Sequence, residues 1–357
     1  VLAFEDISEA GDLDYFADGI AEELLNLLAR IPELRVAGRT SAFSFKDKPA
    51  TIPEIGETLG VTYVVEGSIR TAADRIRITV QLIEAASDTH VFSQNYDRDF
   101  GDIFDIQDEV ARRVVDELHI SLIGEAPRVT RVNPQAYALI LQARSIYHSA
   151  DGDEDDDARI GSLLERALEI DPDYGEALSA YARYLYIYVY GEENVPGEEV
   201  VARVRQMLSR ALAVDPDNAN ALDWMSNISL MHDNDIETAA RYKKRAHQAG
   251  PENYEVLLGS VGTMPMYGRP DLAIGLGEYL IERDPLCIRC YLELVTPYLL
   301  LGDIASAKAQ LRDVLDLEPA SIWVKAQLGA VHLFAGELEE ALEIFTEVRT
   351  ESGDCCY

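Results

Sequence analysis

The chain of 357 residues is poor in cysteine, in basic side chains and in long apolar runs. Four cysteines are too few to staple a chain this long, and they come as two close pairs, Cys287 with Cys290 and Cys355 with Cys356. A disulfide scaffold is therefore excluded, and the redox state of these thiols stays open. Lys and Arg number 31 against 64 Asp and Glu, a net charge of −33. That balance lacks the basic footprint of a phosphate-binding surface, so no nucleic-acid binding is expected of this segment. The densest apolar runs, Tyr181–Tyr190 and Leu292–Leu301, reach about half of the roughly 18 to 20 residues a membrane-spanning helix needs, so no membrane insertion by this segment is expected. No basic-then-apolar leader opens the sequence, and Val1–Phe4 already reads as a strand; a fragment of a longer polypeptide is expected.

Catalytic signatures are equally sparse. No G-x-x-x-x-G-K-[ST], H-E-x-x-H or G-x-S-x-G occurs, and the six histidines show no partner pattern. Asp99-Phe100-Gly101 spells a kinase triplet without the accompanying glycine-rich loop, strand lysine or H-R-D run, and reads as chance. The acidic stretch Asp151 to Asp157 alternates carboxylates like a calcium loop, but its turn glycine is misplaced and Ser162 stands where a bidentate Glu belongs. It reads as a solvated loop. Cys287 and Cys290 form a C-x-x-C that no strand precedes, against a thioredoxin-like site and in favour of two thiols on neighbouring helical positions. No enzyme activity, cofactor or metal is expected of this segment.

What is present is enough apolar material for real cores, at 48% of the residues, and a change of pattern near residue 128. Residues 1 to 128 alternate strand and helix signals. Ile20, Leu24, Leu27, Leu28 and Ile31 recur at helical spacing, with Asp14 placed to cap and Pro32 to stop that helix. A second strand is expected around Arg35 to Phe45. Thr51 with Glu54 makes a capping box, and Gly60 ends the short helix that follows. Tyr63 to Arg70 and Arg75 to Ile83 read as a hairpin with Ile76, Ile78, Val80 and Leu82 facing inward. A further strand ends near Tyr96, and a helix follows from Asp102, its inner face Ile103, Ile106, Val110, Val114 and Leu118. The expectation is a mixed sheet covered by helices on one side.

The run YFADGIAEELLNLLARIPELRVAGRTSAFSFKDK, then LGVTYVVEGSIR, then IRITVQLIEAASDTHVFSQNYDRDFGDIFDIQDEVA, resembles the TolB-like amino-terminal domain of bacterial signalling proteins. The resemblance implies an architecture in which this domain precedes tetratricopeptide repeats and follows a nucleotide cyclase or a winged-helix DNA-binding domain. It leaves the compartment open: cytoplasmic, or periplasmic if a membrane span lies upstream.

Residues 129 to 357 are all-helical in pattern. Prolines at 172, 216, 251, 285 and 319 are spaced by 44, 35, 34 and 34 residues, and 34 is the tetratricopeptide period. ERALEIDPD at 165 to 173 and SRALAVDPD at 209 to 217 are near copies, each ending a second helix. Six helical hairpins are expected, stacked into a superhelix. Gly277 in place of a large apolar residue and Pro265 late in a first helix predict a kinked or loosely packed fourth unit. Tyr181 to Tyr190 has strand-like composition, but the repeat register favours a helix.

The remaining candidate site is the concave face lined by the first helix of each hairpin. The register places Arg183, Tyr186, Trp224, Ile228, Met231, Arg289, Leu292, Thr296 and Trp323 there. Aromatic and arginine side chains are those that most often dominate binding energy. A Lys- and Asn-rich clamp for a peptide carboxylate is not recognisable, which disfavours a chaperone-tail receptor. The expected function is a non-catalytic module whose repeat groove holds a protein or peptide partner, with basic character favoured by the −33 charge. The alternatives are the regulatory carboxy-terminal part of a nucleotide cyclase and the sensory part of a winged-helix regulator.

Overall fold

The computed structural model describes residues 1–9, 11–31, 33–72, 75–118, 130–149, 154–191 and 195–351. Pro32, residues 151–153 of the acidic stretch, and Cys355 and Cys356 lie outside them, while residues 154–157, expected in a solvated loop, open a helix. Two compact units divide the chain, Val1–Asn253 and Tyr254–Tyr357.

The first unit opens with β1 (Glu5–Asp6), α1 (Asp14–Ala29), α2 (Arg39–Phe43), α3 (Ile52–Leu59), β2 (Tyr63–Ala72), β3 (Arg75–Glu84), β4 (Thr89–Asp99) and α4 (Ile103–Glu117). The sheet order is β1-β2-β3-β4, with β1 parallel to β2 and the other pairs antiparallel. Pairing of Ile69 with Ile78 and of Ile78 with Tyr96 sets one buried row across three strands. Because alternate strand residues face opposite ways, this register commits Ile76, Ile78, Val80 and Leu82 to the interior, all at most 1% exposed, and leaves Arg75 and Arg77 in solvent. The apolar stripes of α1 and α4 close over that row.

Three expectations change here. The first strand lies at Glu5–Asp6 rather than Val1–Phe4, although Leu2 N donates to Val65 O at 2.8 Å and Ile7 N to Ile69 O at 2.9 Å on either side of it. Residues 35 to 45 form no strand. Val36 reaches the core without a ladder, and Arg39, bonded through Nε to Glu22 Oε2 at 2.8 Å, opens the short helix α2 against α1. Finally, helices do not keep to one face: α3 packs Ile55 on Val64 and Ala85, a separate small core. The capping box of Thr51 and Glu54 and the left-handed Gly60, at φ +63°, delimit α3.

Six helical pairs follow among the described residues. In the first unit they are α5 (Pro134–Ser149) with α6 (Glu154–Ile170), α7 (Gly175–Tyr184) with α8 (Gly197–Val214), and α9 (Ala219–Met231) with α10 (Ile236–Ala249). Tyr137 and Leu141 of α5 are part of the core beneath α1. The close approach depends on Gly19, where a Cβ would stand 2.7 Å from the Leu141 side chain. Asn218 and Asp235 cap α9 and α10 by accepting from Ala221 N and Thr238 N.

The second unit contains α11 (Tyr254–Thr263) with α12 (Pro270–Arg283), α13 (Ile288–Leu300) with α14 (Ile304–Leu317), and α15 (Ile322–Phe334) with α16 (Leu338–Glu351). Pro265 converts the end of α11 into a 3-10 turn, Met264–Tyr267. Gly277 does not loosen its unit. A Cβ there would lie 2.4 Å from Leu294 Cδ2, so the missing side chain is what lets Leu294 fill the space. Cys287 and Cys290 form a disulfide across the first turn of α13, both buried, a pairing the sequence left open.

Candidate functional site

The richest surface cluster grows from the end of α7. Beyond Tyr184 the helix widens into a π turn, Leu185–Val189, closed by Tyr190 N donating to Leu185 O at 3.0 Å across five residues. Single π turns of this kind recur at functional sites. The sequence here places tyrosines at every second position, 184, 186, 188 and 190. Two ladders result. Tyr181 stacks on Tyr184 with centroids 6.0 Å apart and Tyr184 tilts onto Tyr188 at 5.6 Å. On the other side Tyr186 stacks on Tyr190 at 5.2 Å and meets Trp224 of α9 at 5.5 Å. His232 stands edge-on to both Tyr186 and Tyr190, at 5.7 and 5.4 Å, and its Nε2 is 3.2 Å from the Tyr186 hydroxyl. Such edge and offset arrangements are the favoured aromatic geometries.

Small residues make room for the rings. A Cβ on Gly161 of α6 would stand 2.5 Å from the Tyr184 ring. Tyr181 donates to Glu165 Oε1 at 2.5 Å and accepts from Arg203 Nη2 at 3.2 Å. Burial, then the Glu165 carboxylate, pushes its phenol up to about 12, and burial also raises Tyr186; both are neutral donors across the physiological range. Under Trp224, Lys243 of α10 pairs with Asp223 of α9, both almost wholly buried, which fixes the two helices against each other.

Of the nine residues expected on a concave face, the structure brings Tyr186 and Trp224 into ring contact, both half-buried. Met231 is 52% exposed. Arg183 is half-buried and lies over the Tyr147 ring at 4.0 Å. Ile228 is a correction. It is fully buried in the helical core, because α9 is packed by α7, α8 and α10 and its apolar stripe is wider than one face. In the second unit Arg289 and Thr296 are exposed, Leu292 is half-buried against the core, and Trp323 is 57% exposed. Tyr190 and His232 join the cluster without having been singled out from the sequence. The period-two tyrosines were the available signal, since they put 186 and 190 four residues apart, within reach of one another along a helix.

No group of three His, Cys, Asp or Glu side chains suited to a metal occurs among the described residues. Asp156, at the end of the acidic stretch, pairs with Arg159 at 2.8 Å. No described helix is long and apolar enough to cross a membrane.

These features define a small mixed sheet followed by tetratricopeptide-like helical pairs. No protein-family model matches the chain. A protein of Rhizobium meliloti (strain 1021) named "Putative adenylate cyclase 3" is 40% identical over 176 residues, 48% of this chain. The match spans 30% of that relative's length. Among solved structures, the human IFIT1 dimer with m7Gppp-AAAA aligns with TM-score 0.50 and 15% identity, over 68% of this chain and 55% of that one. A thermophilic TPR protein of Thermus thermophilus aligns with TM-score 0.44 and 16% identity, over 56% of this chain and 99% of that one. At 15% identity the likeness to IFIT1 is one of fold alone.

Proposed function

We propose that the chain is a non-catalytic interaction and relay module, with a TolB-like α/β domain over residues 1 to 128 and a repeat array over 129 to 357. The array holds a protein or peptide partner, and the aromatic cluster of Tyr186, Tyr190, Trp224 and His232 carries this reading. Large, partly exposed rings already fixed against one another lose little freedom on binding, so contact with them is effective. The charge of −33 favours a basic partner surface and a salt-dependent encounter.

A second reading adds to the first: the module regulates a nucleotide cyclase on the same polypeptide. It is supported by the 40% identity over 176 residues to the relative named for that activity. The cyclase chemistry then resides outside these residues.

The test is photo-crosslinking of the full-length protein in its own cells, with a photoreactive phenylalanine at Tyr190. Trp224→Ala and Tyr186→Ala are each expected to weaken capture of the crosslinked partner about 30-fold, the effect of losing about 2 kcal/mol at a binding hot spot. Equal capture by both variants and the parent would remove the cluster from the binding site.

A further inference from the structure

A cleft of about 560 Å³ lies within the first unit, between the α/β layer and the first helical pair. One wall is Tyr15 and Phe100. Phe16, fully buried between them, holds that wall rigid, its ring 6.4 Å from Tyr15 and 5.2 Å from Phe100. The opposite wall comes from α5 and α6. Gln135, Ala138, Leu139 and Gln142 follow the i, i+3, i+4, i+7 pattern of one helical face, and Ile170 closes the mouth while remaining 40% exposed. An apolar floor with two neutral amides is the usual composition of a small-molecule site.

The charges at its rim are selective. The chain has 64 acidic side chains, yet none lines this cleft among the described residues, whereas two arginines do. Arg75 is committed: its Nη2 lies 2.6 Å from Asp97 Oδ1 and its Nη1 3.5 Å from Asp99. Arg166 is exposed on α6, and no described carboxylate lies within ion-pair distance of it. In a chain with two acids for every base, a guanidinium at the mouth of an apolar cleft with no described carboxylate within ion-pair distance is the feature that calls for a ligand. Tyr15 adds a neutral donor, since burial raises its phenol.

We propose that this cleft binds a ring-bearing small organic monoanion, its planar ring between Phe100 and Leu139 and its anionic group on Arg166. The cleft size suits about ten to twenty non-hydrogen atoms. Because one wall belongs to the α/β layer and the other to α5 and α6, such a ligand touches both layers at once. The proposal stands apart from the aromatic cluster on α7 and survives or fails independently of it.

The experiment is isothermal titration of the full chain with naphthalene-2-carboxylate and, as a neutral isostere, naphthalene-2-carboxamide. The parent protein is expected to bind the carboxylate at least about tenfold more tightly than the amide, the value of one charge-assisted hydrogen bond at a partly exposed site. Arg166→Gln is expected to erase that preference, and Ile170→Glu to weaken the carboxylate by a similar factor. Both positions are exposed, so unchanged thermal melts by circular dichroism will show that the fold is intact. Absence of carboxylate binding by the parent, or unchanged carboxylate affinity in either variant, overturns the proposal.

Discussion

Arg144 of α5 is the side chain on which the junction between the sheet layer and the helical pairs depends most. Its Nη1 lies 2.6 Å from Glu23 and 3.5 Å from Glu22 of α1, and its Nη2 donates to Glu176 at the start of α7. The four side chains, Arg144, Glu23, Glu22 and Glu176, are only 21%, 17%, 12% and 32% exposed in that order. Burial opposes the charge on Glu22, yet Arg144, then His148 and Arg39, bring its carboxyl from an ordinary 4.5 down to about 2. Glu23 goes the other way: burial first, with repulsion from Glu176 and Glu22, raises it against the pull of Arg144. Arg144→Met leaves three crowded carboxylates without their shared cation. Breaking a buried pair from one side costs about 3 to 5 kcal/mol, and the residual solvent access puts this case near 3. The Glu22 shift, at about 1.4 kcal/mol per pH unit, gives the same order. Urea unfolding in a Trp323→Phe background, followed through Trp224, reports the first unit. Because the depressed Glu22 contributes fully above about pH 4.5 and loses its contribution as pH falls toward 2, the gap between parent and variant is expected to shrink from about pH 7 to about pH 3.5. A loss below about 1 kcal/mol at neutral pH, or a gap that does not narrow in acid, refutes this account.

Two further outcomes concern the second unit. Gly277→Ala is expected to cost about 1 to 3 kcal/mol by driving a methyl into Leu294, and Leu294→Ala in the same chain should recover part of that loss; strictly additive losses in thermal denaturation would contradict the close contact. Reducing Cys287–Cys290 should lower the stability of this unit by no more than about 2 kcal/mol, because a bridge three residues long constrains little of the unfolded chain. Loss of the cooperative transition on adding dithiothreitol, read through Trp323 in a Trp224→Phe background, would show a larger role.

The features legible in the sequence were those set by neighbouring residues. The α1 stripe of Ile20, Leu24, Leu27 and Leu28, the box of Thr51 with Glu54, and the alternation from Ile76 to Leu82 each follow from local spacing, and each stands as read. The repeat punctuation is legible for the same reason, since each turn between successive helical pairs carries its own proline. The segment from Arg35 misled because Leu34 and Val36 alternate like a strand, while its conformation is set by Arg39 reaching back to Glu22. Ile228 was misplaced because a helix enclosed by three others has no single inward stripe. In the aromatic cluster, Tyr186 meets Trp224, two positions the register had grouped, whereas Tyr190, though one of the alternating tyrosines, and His232 had not been singled out. The Arg144 cluster joins side chains more than a hundred positions apart and has no local pattern at all.

That cluster also bears on why the sheet layer and the helical pairs share one compact unit. Buried charges rarely stabilise a fold more than well-packed apolar residues of the same shape. Their value lies in direction. An apolar contact tolerates sliding, whereas the Arg144 fork is satisfied only when Glu22 and Glu23 on α1 and Glu176 on α7 occupy their positions together. Gly19 removes the remaining slack by letting Leu141 sit directly on α1. Helix α7 therefore carries both Glu176, tied through Arg144 to the sheet layer, and Tyr181 and Tyr184, the start of the aromatic ladders. Any displacement of those rings along the helix axis must therefore either strain this fork or move α1 with it.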